Sequence, residues 1–129
     1  MPGPLDGIRI VDFSVALTGP LAAGMLVDQG ADCIKVEQSP NGDLVRWLGT
    51  SIEGISSMFQ IANRGKRSAT IDLQQDEGRA IALDLVADSD VVVQNFRPGV
   101  AERLGIAYAD VAAVAPDVVY ADITGFGPT

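Results

Sequence analysis

The sequence predicts an α/β fold, a mostly parallel sheet with helices on both faces. Three observations predict it. Short runs rich in β-branched residues recur five times along the chain, and segments with helical spacing fall between them. Strands joined by helical crossovers pair in parallel and are covered on both faces. Finally, 47% hydrophobic residues in a chain of 129 suit one folded domain, residues 1–129.

Taken in order, Ile8 to Phe13 reads as a first strand. Thr18-Gly19-Pro20 follows, and Pro20 suits the first turn of a helix. Leu21 to Gln29 is apolar nearly all round, a helix buried on much of its surface, with Gly30 as its cap. Asp32 to Glu37 is a second strand, and Ser39 to Asp43 a turn-rich loop. Residues 44–62 hold one or two helical turns around Ile55, Met58, Phe59 and Ile61. Asn63 to Arg67 is a basic turn. Ser68 to Leu73 alternates as a third strand, and Asp76 to Ala87 is a helix with Asp76 and Glu77 at its positive end. Asp90 to Val93 is a short buried strand, and Asn95 to Gly99 a loop. Val100 to Leu104 and Ala109 to Val114 read as short helices, and Val118 to Ile123 as a fifth strand. A parallel sheet expects a further crossover there. The sequence closes instead on Gly125 to Thr129, so the fold reads as truncated after the fifth strand. The whole is Rossmann-like. Ligands of such sheets bind outside the carboxyl ends of the strands. Those ends are Ser14 to Gly19, Gln38 to Asp43, Gln74 to Asp76, Gln94 to Gly99 and Thr124 to Gly127.

Composition narrows the function classes. A net charge of -8 argues against nucleic-acid or anionic-membrane partners. The absence of histidine removes His-based catalysis and His-containing zinc sites from these residues. A single cysteine excludes an internal disulfide and a cysteine cluster for metal, so no metal is expected. No apolar stretch approaches the roughly 18 residues of a membrane span. Met1 to Asp6 is not a signal peptide, so a cytoplasmic domain is expected.

The local motifs leave alternatives open. Gly19 to Gly24 follows a strand and opens a helix. It is neither a Walker A loop, because Met25-Leu26 follow, nor GxGxxG. It is either a phosphate-attracting helix start or a plain turn with glycine for tight packing. No acid falls between Glu53 and Asp72, whereas Arg64, Lys66 and Arg67 do. That basic turn either binds a polyanion or is merely solvated. Asn95-Phe96-Arg97-Pro98-Gly99 offers polar groups and a stacking face at a strand end, and Arg103 in the next helix can point to the same edge. Asp12, Asp72 and Asp122 could each be a cap, a turn-former or a base. Cys33, mid-strand, reads as a buried inert thiol. Trp47 and Phe59 read as core or interface residues rather than a stacking platform.

The ordered set of segments Pro4 to Phe13, Thr18-Gly19-Pro20, Asp28 to Glu37, Gly42-Asp43, Asn63 to Ser68, Ile71-Asp72-Leu73, Asn95 to Gly99 and Gly125-Phe126-Gly127 resembles the N-terminal part of the class III CoA-transferases, the CaiB/BaiF family. The resemblance implies an enzyme that moves CoA between carboxylic acids. It implies CoA contacts at Leu17, Thr18, Gln38, Asp72, Leu73, Gln74, Asn95, Phe96, Arg97 and Arg103, and an interlocked homodimer. It also implies a nucleophilic aspartate that forms an aspartyl-CoA thioester. That aspartate lies beyond the Gly-Phe-Gly segment in the family, so no residue here is assigned as catalytic and the chain alone is expected to be inactive. Gln38 and Gln74 stand where a basic residue can occur, and Gln94 where glutamate is usual. A racemase branch acts on 2-methylacyl-CoA. The long connection from Leu44 to Ala62 favours the transferase branch. The remaining alternative is a non-catalytic CoA-binding or assembly subunit.

Overall fold

The computed structural model describes residues 2–127, so Met1, Pro128 and Thr129 of the expected terminal segments lie outside the described residues. Five strands form one sheet: β1 (Arg9–Asp12), β2 (Asp32–Gln38), β5 (Arg67–Ile71), β6 (Val91–Gln94) and β7 (Val119–Asp122). Their spatial order is β5-β2-β1-β6-β7, and every pairing is parallel. The first strand is thus central. The chain winds outward through β2 to β5, returns to the other side of β1 for β6, and winds outward again to β7. The direction reverses between β1 and β6, which opens a crevice at their carboxyl ends.

The predicted strands are all present, shifted by a residue or two at their ends. Side-chain alternation divides the core between the two faces. Val11, Val36, Ile71 and Val92 point toward a cluster with Ala82, Val86, Ala101, Ile106 and Val111. These belong to helices α3 (Asp76–Ala87), α4 (Val100–Leu104) and α5 (Tyr108–Val114), and to the loop before α5. Ile10, Cys33 and Val93 point the other way, onto Ala23 of helix α1 (Thr18–Val27). Helix α1 begins three residues earlier than the predicted Leu21, because Leu17 already accepts the first helical N–H, from Leu21. Cys33 is 1% exposed, and burial, seconded by Asp12, pushes its thiol up to about 12, in keeping with an inert core residue.

The segment 44–62 departs most from expectation. It holds a 3-10 turn (Leu44–Arg46), a two-stranded antiparallel hairpin of β3 (Ser51–Ile52) and β4 (Ile55–Ser56), and helix α2 (Ser57–Asn63). The hairpin turn places Glu53 at φ 53° and Gly54 at φ 82°. Two consecutive left-handed residues are the turn geometry that matches strand twist. A Glu-Gly pair is a weak signal for it. Helix α2 is anchored by the Ser56 hydroxyl, which accepts from the Phe59 N–H at 3.1 Å.

Candidate functional site

The carboxyl ends of β1, β2, β5 and β6 surround a cleft of about 1240 Å³, and the segment Thr124 to Gly127 after β7 does not line it. Its wall is built by the loop after β2, the β5–α3 turn, the start of the loop after β6, and α4. Three clusters of opposite charges fix the segments that follow β1 and β2.

Lys35, on β2, is 1% exposed. Its Nζ donates to the Ser14 carbonyl at 2.8 Å and lies 2.9 Å from Asp43 Oδ2. Asp43 Oδ1 accepts the N–H groups of Ala16 and Val45, at 3.2 and 3.1 Å. One carboxylate therefore ties the β1–α1 loop to the loop after β2.

Glu37, also on β2, is gripped by Arg46, with Nε and Nη2 donating at 2.6 and 2.7 Å. It also accepts from Ser68 Oγ at 2.6 Å and from the Asp43 N–H at 2.9 Å. The Arg46 guanidinium lies 3.8 Å above the Phe59 ring. Burial alone would raise the Glu37 carboxyl, but these donors and the Arg46 charge outweigh it and hold it at about 2. Its ordinary value is 4.5, so between the two values the folded state binds fewer protons than the unfolded chain. Stability from this grip is full above about pH 4.5 and is lost as pH falls toward 2, an effect of about 3 kcal/mol. Thermal melts across that window should show the loss, and Glu37→Gln should flatten it.

The third cluster lies under β1. Lys66 Nζ, with a side chain 1% exposed, donates to Asp12 Oδ2 at 2.7 Å, to the Pro20 carbonyl at 2.6 Å and to Asn63 Oδ1 at 3.0 Å. Asp12 Oδ1 accepts from the N–H and the hydroxyl of Ser14. Asp12 is thus an internal anchor of the fold, fully buried.

Of the residues singled out from the sequence, Gln38, Asp72, Leu73, Gln74, Phe96 and Arg103 line the cleft together. Asp72 also accepts the Gln74 N–H at 3.0 Å, so it shapes its own turn. Gln94 is buried, and its side-chain oxygen accepts the Phe96 N–H at 2.7 Å, aiming that ring. Leu17, Thr18 and Asn95 stand at the β1–β6 reversal and do not line this cleft. Asn95 accepts from the Val15 N–H at 2.7 Å, donates to the Val15 carbonyl at 2.8 Å, and donates to Thr18 Oγ1 at 3.3 Å. It stitches the two loops across the reversal, next to Ala16 in the left-handed region at φ 63°. Arg97 is exposed and borders a separate cavity of about 120 Å³ with Tyr108, Tyr120 and Asp122.

The glycine and basic segments both have structural roles. A Cβ on Gly19 would stand 2.3 Å from the Ser14 Cβ, so close packing requires that glycine. Arg64 pairs with Asp28, Arg67 with Asp32, and Lys66 with Asp12. Arg67 and Asp32 open their strands, at the edge opposite the cleft. Of the two readings of Trp47, core is corrected and interface is left standing: it is 69% exposed and lines the cleft, its indole N–H donating to the Asn41 carbonyl at 2.9 Å. Phe59 is buried as expected. Lys35 and Arg79 are cleft residues that sequence reading did not single out. A lysine in mid-strand carries no local signal, whereas Arg79 could have been found as the cation in the first turn after β5.

Among the described residues, no group of acidic or cysteine side chains could hold a metal ion, and no helix is long and apolar enough to cross a membrane.

Comparison with known proteins agrees with this geometry. The chain is 41% identical over 127 residues to an acetyl-CoA:oxalate CoA-transferase of Acetobacter aceti, covering 98% of this chain and 33% of that protein. It is 42% identical over 130 residues to a succinyl-CoA:mesaconate CoA-transferase of Haloarcula hispanica, covering 97% and 33%. The crystal structure of a CaiB/BaiF family protein of Brucella suis superposes with a TM-score of 0.93 at 42% identity, over 100% of this chain and 35% of that one. A Mycobacterium tuberculosis structure superposes at 0.90 with 39% identity, over 99% and 36%. The chain thus spans about a third of the length of the curated relatives it matches. The family model for CoA-transferase family III matches residues 5–129, and the chain belongs to that family.

Proposed function

We propose that residues 1–129 form the CoA-binding part of an enzyme that moves CoA between carboxylic acids. The observation that carries this reading is the gathering of Gln38, Asp72, Leu73, Gln74, Phe96 and Arg103 on one cleft, from loops far apart in sequence. The cleft's composition supports it. Leu73, Phe96, Leu104 and Trp47 offer apolar surface to an adenine ring and a pantetheine arm, and Arg103 offers charge to phosphate. Leu17, Thr18 and Asn95 frame the adjoining reversal, where the thioester end of an acyl-CoA would lie.

In this reading an aspartate outside these residues attacks the thioester carbonyl. CoA thiolate leaves and an acyl-aspartyl anhydride forms. The thiolate then attacks the aspartyl carbonyl, releasing the first acid and leaving an aspartyl-CoA thioester for the acceptor acid. These 129 residues carry binding, not chemistry, and by themselves should exchange no CoA.

Calorimetry of the complete protein with CoA, and exchange assays pairing acetyl-CoA with a panel of free dicarboxylates, test the proposal. Micromolar-range binding and transfer to at least one acid are expected. No binding together with no exchange overturns it. A protein that binds CoA but loses the α-proton of a 2-methylacyl-CoA to solvent, without transfer, would overturn the transferase chemistry alone.

A further inference from the structure

Among the described residues the arginines divide by their partners, and Arg9, Arg97 and Arg103 meet no carboxylate in an ion pair. Arg46, Arg64 and Arg67 each meet one. Arg79, on the first turn of α3, meets only Asp76, at 3.4 Å, and Asp76 is 92% exposed. A pair so solvated contributes little. Arg79 Nε is buried and, among the described residues, has no hydrogen-bond partner. The Nε packs against the wall, but the side chain as a whole is 35% exposed, so the outer guanidinium nitrogens keep donors that a ligand oxygen in the cleft can take.

The Arg79 stem is held in place. It crosses Gly105, the left-handed residue at φ 68° that ends α4, where a Cβ would stand 2.5 Å from Arg79 Cδ. This contact lays the side chain along the wall of the cleft that also carries Arg103. Among the described residues, no carboxylate pairs with Arg103. Two guanidinium groups lining one cleft offer it positive charge that suits an anion. The other charges of the cleft are already engaged: Lys35 with Asp43, Glu37 with Arg46, and Asp72 with the Gln74 N–H. Gln38 and Gln74 are neutral.

Resting on the CoA reading above, we propose that Arg79 acts with Arg103 to bind a phosphate of CoA, supplying the positive charge that Gln38 and Gln74 do not. The planar guanidinium fork is suited to two parallel bonds to one phosphate.

Calorimetry with CoA on the complete protein tests this with Arg79→Gln and Arg79→Lys. Arg79→Gln should raise the Kd about tenfold to a hundredfold at low salt. The gap should narrow as salt rises, because screening weakens the parent's phosphate contact and leaves the variant with less to lose. Arg79→Lys should recover part of the affinity, and melting temperatures should stay close to the parent's. A Kd within twofold of the parent, or a loss equal at every salt concentration, overturns the assignment. Failure of the parent itself to bind CoA would instead overturn the CoA reading on which it rests.

Discussion

Replacing Lys66 with methionine is expected to cost about 3–5 kcal/mol, the penalty for leaving a buried charge without its partner. The stranded group is Asp12, fully buried at the end of the central strand. The Pro20 carbonyl and Asn63 Oδ1 lose their donor at the same time. Domains of this size are stable by about 5–15 kcal/mol, so the variant should unfold at much lower denaturant and populate little native state on warming. The cause can be separated from lost packing. In the double variant Asp12→Asn with Lys66→Met, no unpaired charge is left at this site, and the asparagine oxygen can still accept the Ser14 N–H. Recovery of a substantial part of the loss is expected in urea melts. If the single variant melts like the parent, the ion pair does not organise this region.

The second large effect is expected from Gly78→Ala, where two rules disagree. Alanine in place of glycine inside a helix should stabilise by about 1 kcal/mol. In this helix the added Cβ would stand 2.0 Å from the Asp72 carbonyl oxygen and 2.8 Å from its carbon. Those are backbone atoms, so the contact is relieved only by moving α3 away from the end of β5. Overpacking of this kind costs about 1–3 kcal/mol or more, enough to reverse the propensity gain. The displaced turn carries Asp72, Leu73 and Gln74, and the helix carries Arg79, so under the proposed function CoA affinity should fall together with stability. A glycine-to-alanine gain in melting temperature would show that the helix start yields freely. A more tolerant site, such as Ala80→Gly on the exposed face, should show only the ordinary propensity loss.

Much of the scaffold was legible in the residues themselves. The strand-helix alternation predicted the five parallel strands, and the strand ends pointed to the segments that surround the cleft. Six of the ten residues implied by the family resemblance meet there, five because they sit at or just past those ends and Arg103 from helix α4. What escaped reading has a common cause. The hairpin of Ser51–Ile52 and Ile55–Ser56 is too short for an alternation signal, and its turn uses Glu53-Gly54 where Asn-Gly would have announced it. Trp47 follows a 3-10 turn whose position depends on Glu37 holding Arg46, so its exposure cannot be read from its own neighbours.

The basic turn draws the line most clearly. Arg64, Lys66 and Arg67 form one charged cluster in sequence. In the fold they part to Asp28, Asp12 and Asp32, the Lys66 bond to Asp12 joining residues 54 apart. By itself the sequence determined the fold class, the succession of its strands along the chain and the edge where their carboxyl ends gather, because hydrophobic period and turn residues act over a few positions. Only the tertiary structure decided which cations are neutralised inside the fold and which remain to face the cleft. That choice depends on distance and burial between segments far apart in the chain, and no local pattern encodes either.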